Sequence, residues 1–138
     1  MYQIADQIAC SNLLVQASYL GDLHKVEEFI ALFTEDASLE RLGDPFRGVE
    51  AIRGFMLSRK RERRTRHVVS PPIITFVDAD NAHGVALYTL FDGTENSENS
   101  VLPVSMPATV GEFHQTYRRV NGEWKIVSHN SVAIFRRV

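Results

Sequence analysis

The apolar positions change period once along the chain, near His67. Before it, Ile4, Ile8, Leu14, Val15 and Leu20 form a wide stripe at helical spacing that ends at Gly21. Val26, Phe29, Ile30 and Phe33 then repeat at i, i+3, i+4, i+7. The spacing predicts two helices joined as an αα-hairpin, the first stopped by Gly21 and the second capped by Asp22. Residues 37–42 carry no clear period, Gly43-Asp44-Pro45 reads as a turn, and Gly48 precedes a third short helix with Ile52, Phe55 and Met56 inward. That helix is expected to end in the basic stretch 59–66.

From His67 onward the period is two. Apolar and β-branched runs at Val68-Val69, 73–77, 85–91, 112–120 and 124–135 predict antiparallel strands. Asn121-Gly122 is a hairpin signal, because both central residues of a type I′ turn take positive φ. Such a turn sets Val120 opposite Glu123, Tyr117 opposite Ile126, Phe113 opposite Asn130 and His114 opposite His129. One face of the hairpin then carries Phe113, Tyr117, Trp124, Ile126, Val132 and Ile134, and the other His114, Thr116, Arg118, Lys125 and His129. Strict alternation from Trp124 turns Asn130 inward, while His129 reaches the same side only if a bulge interrupts the strand. Either residue is therefore a candidate pocket group. The polar, proline-bearing connection 94–109 is long enough to be a lid, a subunit contact or a disordered segment.

Helices first and a strand meander afterwards describe an α+β domain: three N-terminal helices packed on one side of a strongly curved antiparallel sheet. Such a cone encloses a cavity on its concave side, here expected to be lined by Phe113, Tyr117, Trp124 and helix residues.

A length of 138 residues corresponds to one domain, residues 1–138, and a content of 44% hydrophobic and 23% charged residues is that of a globular chain. With one cysteine, Cys10, no internal disulfide forms, and Cys10 reads as a small buried hydrophobe. The beginning of the chain lacks a basic stretch followed by an apolar run, and no segment holds the roughly 20 apolar residues of a membrane span. The expectation is a soluble, cytoplasmic protein with no membrane partner. The net charge is only -2, but residues 59–66 hold six bases and one acid, leaving nine bases against sixteen acids elsewhere. Without interleaved aromatics this run reads as a solvated face or subunit contact rather than a nucleic-acid site. His24 and His83 fall in a helix start and a turn, the five histidines lack ligand spacing, and no glycine-rich phosphate loop is present. No metal or nucleotide cofactor is expected.

The stretches FIALFTEDASLE, FRGVEAIRGFM, RHVVSPPIITFVDADNAHGVALYTLF and GEFHQTYRRVNGEWKIVSH resemble the SnoaL-like branch of the NTF2-like, cystatin-like superfamily over nearly the whole chain. The resemblance implies the α+β cone. It implies function more loosely, since the superfamily holds dehydratases, isomerases, cyclases, a dehydrochlorinase, dioxygenase β-subunits and non-catalytic binding domains. The scytalone dehydratase and dehydrochlorinase type of enzyme places a carboxylate just after the first helix and a histidine at the start of the strand after the third. Asp22 and His67 stand at the matching positions here. In that chemistry an imidazole removes a carbon-bound proton while the carboxylate on its other nitrogen sets the tautomer and stabilises the imidazolium. Taken singly, Asp22 also has the ordinary role of a helix cap and His67 that of a strand-edge imidazole bonded to backbone. The related enzymes carry a tyrosine or lysine five positions before the aspartate, where this chain has Ala17. Many members place an arginine five residues after a tryptophan of the last hairpin, where this chain has His129 after Trp124.

The resemblance thus implies a cofactor-independent lyase or isomerase acting on a hydrophobic ring-containing small molecule. His67 and Asp22 would be catalytic, and Tyr19, Phe113, Tyr117, Trp124, His129 and Asn130 would bind substrate. The alternative is a non-catalytic ligand-binding domain or the structural β-subunit of a ring-hydroxylating dioxygenase. Association into a homo-oligomer, dimer or trimer, is expected because an open cone leaves apolar sheet surface for partner chains.

Overall fold

The structure, a computed structural model, describes residues 4–95 and 100–138. Three helices, α1 (Ile4–Asp22), α2 (Val26–Ile30) and α3 (Val49–Ser58), pack on a curled, non-closed sheet. The strands are β1 (Phe33–Arg41), β2 (Asp44–Arg47), β3 (Arg63–Val69), β4 (Ile73–Phe76), β5 (Asn81–Thr94), β6 (Thr109–Val120) and β7 (Glu123–Arg136). Their order is β2-β1-β7-β6-β5-β3, with β4 also paired to β5. The expected α+β cone is what forms. Its sheet is mixed, because β1 runs parallel to β7 while every other pairing is antiparallel.

The first helix differs from its apolar stripe in two ways. Cys10, Leu13, Leu14, Ala17 and Gly21 form the buried face, whereas Ile4, Ile8 and Val15 are exposed. Apolar residues are spread around this helix among polar ones rather than gathered on one side, so spacing alone could not say which edge meets the sheet. It also continues past Gly21 through Asp22. Lys25 N–H donates to the Leu20 carbonyl and His24 N–H to that of Gly21, the paired bonds of a Schellman ending, with His24 at φ 56° in the position usually held by glycine. Asp22 is therefore not the cap of the second helix. That helix is a single turn with Lys25 at its N-cap, and Phe33 already belongs to β1.

Residues 37–41 lie in β1, which turns into β2 through Leu42 and Gly43, both at positive φ. Alternation along β1 puts Ala37, Leu39 and Arg41 on the concave side, leading from the core to the edge. The third helix buries Ile52 and Met56 as its spacing predicts. It stops before the basic run, which passes through a turn at Arg61-Glu62, closed by the Arg63 N–H to the Lys60 carbonyl, and then enters β3.

The Asn121-Gly122 turn forms with both residues at positive φ and sets Val120 opposite Glu123 and Tyr117 opposite Ile126. Beyond that the register shifts. Val127 is an extra residue on β7, so Thr116 pairs with Ser128, Gln115 with His129, His114 with Asn130 and Phe113 with Ser131. The expected pairs Phe113–Asn130 and His114–His129 are each displaced by one, and Val132 and Ile134 face outward and are exposed. Gly84 of β5 is needed for close approach: a Cβ there would stand 2.8 Å from the Tyr117 hydroxyl.

The main core joins Cys10, Leu13 and Ala17 of α1 to Ala82, Tyr117, Trp124 and Ile126 of the sheet. A second cluster, Leu14, Ala86, Tyr88 and Phe113, continues it toward the open end. In the connection 94–109, residues 96–99 lie outside the described residues. Of the rest, Leu102 packs against Gly93, and the Ser100 carbonyl accepts from Arg64. No helix among the described residues is long and apolar enough to cross a membrane.

Candidate functional site

A cavity of about 160 Å³ opens on the concave side, floored by Leu39, Phe113 and Leu90 and roofed by Ala17, Phe29, Phe55 and Met56 from the three helices. Its polar wall comes from alternate residues of strands. On β3, Arg63, Thr65 and His67 share one face, and on β7 His129 and Ser131 do. Asp22, at the last turn of α1, completes it.

Asp22 is 4% exposed, and its carboxylate accepts three hydrogen bonds. The Thr65 hydroxyl donates to Oδ1 at 2.8 Å, the His67 ring Nδ1–H to Oδ1 at 2.7 Å, and the His67 backbone N–H to Oδ2 at 2.7 Å. A carboxylate buried at a helix C-terminus is opposed by desolvation and by the negative end of the helix dipole. Burial acts to raise its pKa, but the bonds from His67 and Thr65 and the His67 charge outweigh it and hold the carboxyl below its ordinary value. Because an ionised carboxylate only accepts, Nδ1 of His67 carries a proton, and in the neutral form of the ring the lone pair is on Nε2, left for the cavity. The ring is clamped edge-on to Tyr88, centroids 5.6 Å apart, and beside Phe113 at 5.4 Å.

The bulge at Val127 brings His129 to the cavity instead of Asn130, which lies along a separate surface depression with Glu40 and Leu42. The Gln115 amide nitrogen donates to His129 Nδ1 at 2.7 Å, so Nε2 of His129 bears the proton, 3.4 Å from the Ser131 hydroxyl. Burial, with the nearby His67 adding to it, pushes the His129 pKa down to about 4. His129 is thus a neutral hydrogen-bond donor beside a ring whose lone pair accepts.

Of the residues expected to bind substrate, Phe113 and His129 line the cavity; Tyr19, Tyr117, Trp124 and Asn130 do not. Tyr19 is 61% exposed on the far side of α1. Tyr117 and Trp124 do face the concave side, but α1 lies over them and they belong to the packed core. The Trp124 indole N–H donates to Asp6 at 3.0 Å, with the Arg119 guanidinium 4.7 Å from its ring centre. Cys10 sits in the same core, where burial raises its thiol to about 12. His24 bonds to the Arg63 carbonyl at 3.3 Å and His83 is exposed. Among the described residues no group of three His, Cys, Asp or Glu side chains converges as a metal site would require.

Thr65, Gln115 and Arg59 join the site without a sequence signal of their own. Thr65 could have been found as the residue two before His67, hence on its strand face. Arg59, expected on a solvated face, instead donates to the Gly21 carbonyl at 2.8 Å, closing the end of α1, and to the Thr65 hydroxyl at 3.3 Å.

A model of the SnoaL-like domain matches residues 3–130. Solved structures share the architecture at low identity. Hexachlorocyclohexane dehydrochlorinase LinA type 2 superposes with a TM-score of 0.81 at 18% identity, covering 97% of this chain and 88% of that one. A protein named for scytalone dehydratase from Novosphingobium aromaticivorans DSM 12444 gives 0.78 at 20%, covering 97% and 87%. A cystatin-like protein of unknown function from Nostoc punctiforme PCC 73102 gives 0.76 at 20%, covering 96% and 93%. No curated protein matches in sequence. The domain match over nearly the whole length, on a curled sheet under three helices, means that the chain belongs to the SnoaL-like family.

Proposed function

We propose that the protein is a cofactor-independent lyase or isomerase of the dehydratase kind, acting on a small hydrophobic ring-containing molecule. The observation that carries this reading is the 2.7 Å contact between Asp22 Oδ1 and His67 Nδ1, which leaves Nε2 of the neutral His67 ring as an acceptor toward the cavity. In the reaction, Nε2 takes a proton from a substrate carbon. The C–H electron pair becomes a C=C bond as a leaving group departs from the adjacent carbon, or the proton returns to a different carbon in an isomerisation. Asp22 holds the tautomer and stabilises the imidazolium. His129 Nε2–H donates a hydrogen bond to the oxygen or leaving group on which negative charge gathers. The relatives named for dehydratase and dehydrochlorinase activity are consistent with this chemistry in the same fold.

The test is turnover of a panel of cyclic β-hydroxy and β-halo compounds, read by ¹H NMR, with native protein and His67→Gln. General-base catalysis contributes about 10²–10⁴ in rate. The variant should lose that factor while its melting temperature stays close to native, since glutamine keeps a donor for Asp22. Full activity in His67→Gln on a substrate the native protein turns over would sink the proposal. Ala17, apolar where related enzymes carry a polar residue, favours the second reading, a non-catalytic binding module or dioxygenase β-subunit. Ligand binding without turnover, or co-purification with a large iron–sulfur subunit, would mark that outcome.

A further inference from the structure

The cavity wall has more positive charge than its chemistry uses. Arg41, Arg59 and Arg63 line it together with one carboxylate, Asp22, whose oxygens are already engaged by His67 and Thr65. Among the described residues, Arg63 alone of the three has an acidic partner, Asp92 at 3.1 Å, which lies outside the cavity. Arg59 is held by an uncharged carbonyl and a hydroxyl, and among the described residues no carboxylate lies within 4 Å of its guanidinium. Arg41, at the outer end of the inward face of β1 and paired in register with Ser131, makes no side-chain hydrogen bond or ion pair among the described residues. The three charges also oppose one another: burial first, then Arg63 and Arg41, pull the Arg59 pKa down, against the attraction of Asp22. A guanidinium half-removed from water beside like charges is a poor arrangement unless an anion sits among them. Arginine's planar donor fork suits a carboxylate in particular.

Resting on the elimination or isomerisation reading above, we infer that the substrate is a monocyclic carboxylic acid, its carboxylate held between Arg59 and Arg41 and its ring in the apolar part beside His67. The size agrees. A cavity of roughly 150 Å³ holds one benzene ring, and this one, its arginine-lined part included, measures about 160 Å³, room for one ring and not for a fused system. With the carboxylate fixed near the arginines, a ring carbon falls toward Nε2 of His67, and the acid group is chosen before any proton moves.

The full chain is titrated with benzoate, and separately with benzamide as its neutral isostere, following backbone amide shifts by NMR at two salt concentrations. Benzoate should bind at least tenfold more tightly than benzamide and weaken as salt rises, with shifts at Arg41, Thr65 and His67. Arg41→Gln, at an exposed position without a side-chain partner among the described residues, should fold normally and lose about tenfold in benzoate affinity while benzamide affinity stays within twofold. Arg59→Lys, checked for an intact fold, should lose a similar factor because a point charge replaces the fork. Equal affinity for the two probes, binding of neither, or an equal loss of both in Arg41→Gln overturns the inference. His67→Gln separates it from the proposed reaction. Benzoate binding retained in that variant supports the anion site whether or not turnover is lost, whereas turnover of neutral substrates lost in it alongside equal probe affinities would leave the reaction standing and remove the acid specificity.

Discussion

Asp22→Asn is nearly isosteric, yet it should reverse the proton arrangement of the site. The native carboxylate accepts from Thr65, from His67 Nδ1–H and from the His67 backbone N–H. An asparagine offers one accepting oxygen and one donating NH₂. If the oxygen stays toward Thr65 and Nδ1, the NH₂ meets the backbone N–H, donor against donor. If the amide flips, the NH₂ faces Nδ1, which must become an acceptor, and the ring proton moves to Nε2. The flipped form satisfies the backbone, so the Nε2 lone pair is what the substitution removes. Hydrogen bonds to a charged group contribute about 1 kcal/mol more than neutral ones, so three of them weakened costs about 3 kcal/mol. An unfolding entropy of about 0.3 kcal/mol/K for a chain of this length turns that into a melting temperature lower by about 10 °C. Turnover should fall by about 10⁴, the effect of the wrong tautomer in a serine protease triad. Long-range ¹H–¹⁵N correlation of the imidazoles reads the tautomer without any substrate. The native neutral ring of His67 should show a protonated Nδ1 and a bare Nε2, and the variant the reverse. A native ring protonated at Nε2, or a variant with unchanged ring shifts and melting temperature, would refute the reasoning.

Acid should destabilise the fold in two stages. His129 has its folded pKa at about 4, below the roughly 6.5 of a free imidazole, so the unfolded chain binds the proton first. Stability is therefore full above about pH 6.5 and declines as pH falls toward 4, by a few kcal/mol in all. Asp22, held below its ordinary value, adds a further loss only as pH drops below about 4. Urea denaturation from pH 7 to pH 4 should show the first decline, and His129→Gln should flatten it; an undiminished slope in that variant contradicts the assignment. The Tyr117 hydroxyl is buried with no hydrogen-bond partner among the described residues, and burial raises its pKa. Tyr117→Phe should then leave stability unchanged or raise it by about 1 kcal/mol. A melting temperature several degrees lower would show that the hydroxyl has a partner.

The α+β order, the third helix, five of the seven strands and the Asn121-Gly122 turn were legible because each depends on local periodicity or local backbone sterics. β1 was not, since its alternation of Ala37, Leu39 and Arg41 ends in a charge and gives no apolar run. Asp22 and His67 were legible as a pair through resemblance, and the structure brings them to 2.7 Å. Their surroundings were less so. Tyr117 and Trp124 are on the expected face but under α1, and Thr65 and Arg59 fell in the stretch 59–66 expected to be a solvated face or subunit contact.

By itself, the order of residues determines the helical segments, five of the strands and which side chains share a face within an unbroken strand, because these follow from periods of 3.6 and two within a few residues. Only the tertiary structure decides what fills the cavity. One extra residue at Val127 reverses the facing of β7 beyond it, exchanging Asn130 for His129. The path of α1 across the sheet chooses which inward aromatics are covered and which are left to a ligand. Both depend on contacts between residues far apart in the chain, and no local pattern carries that information.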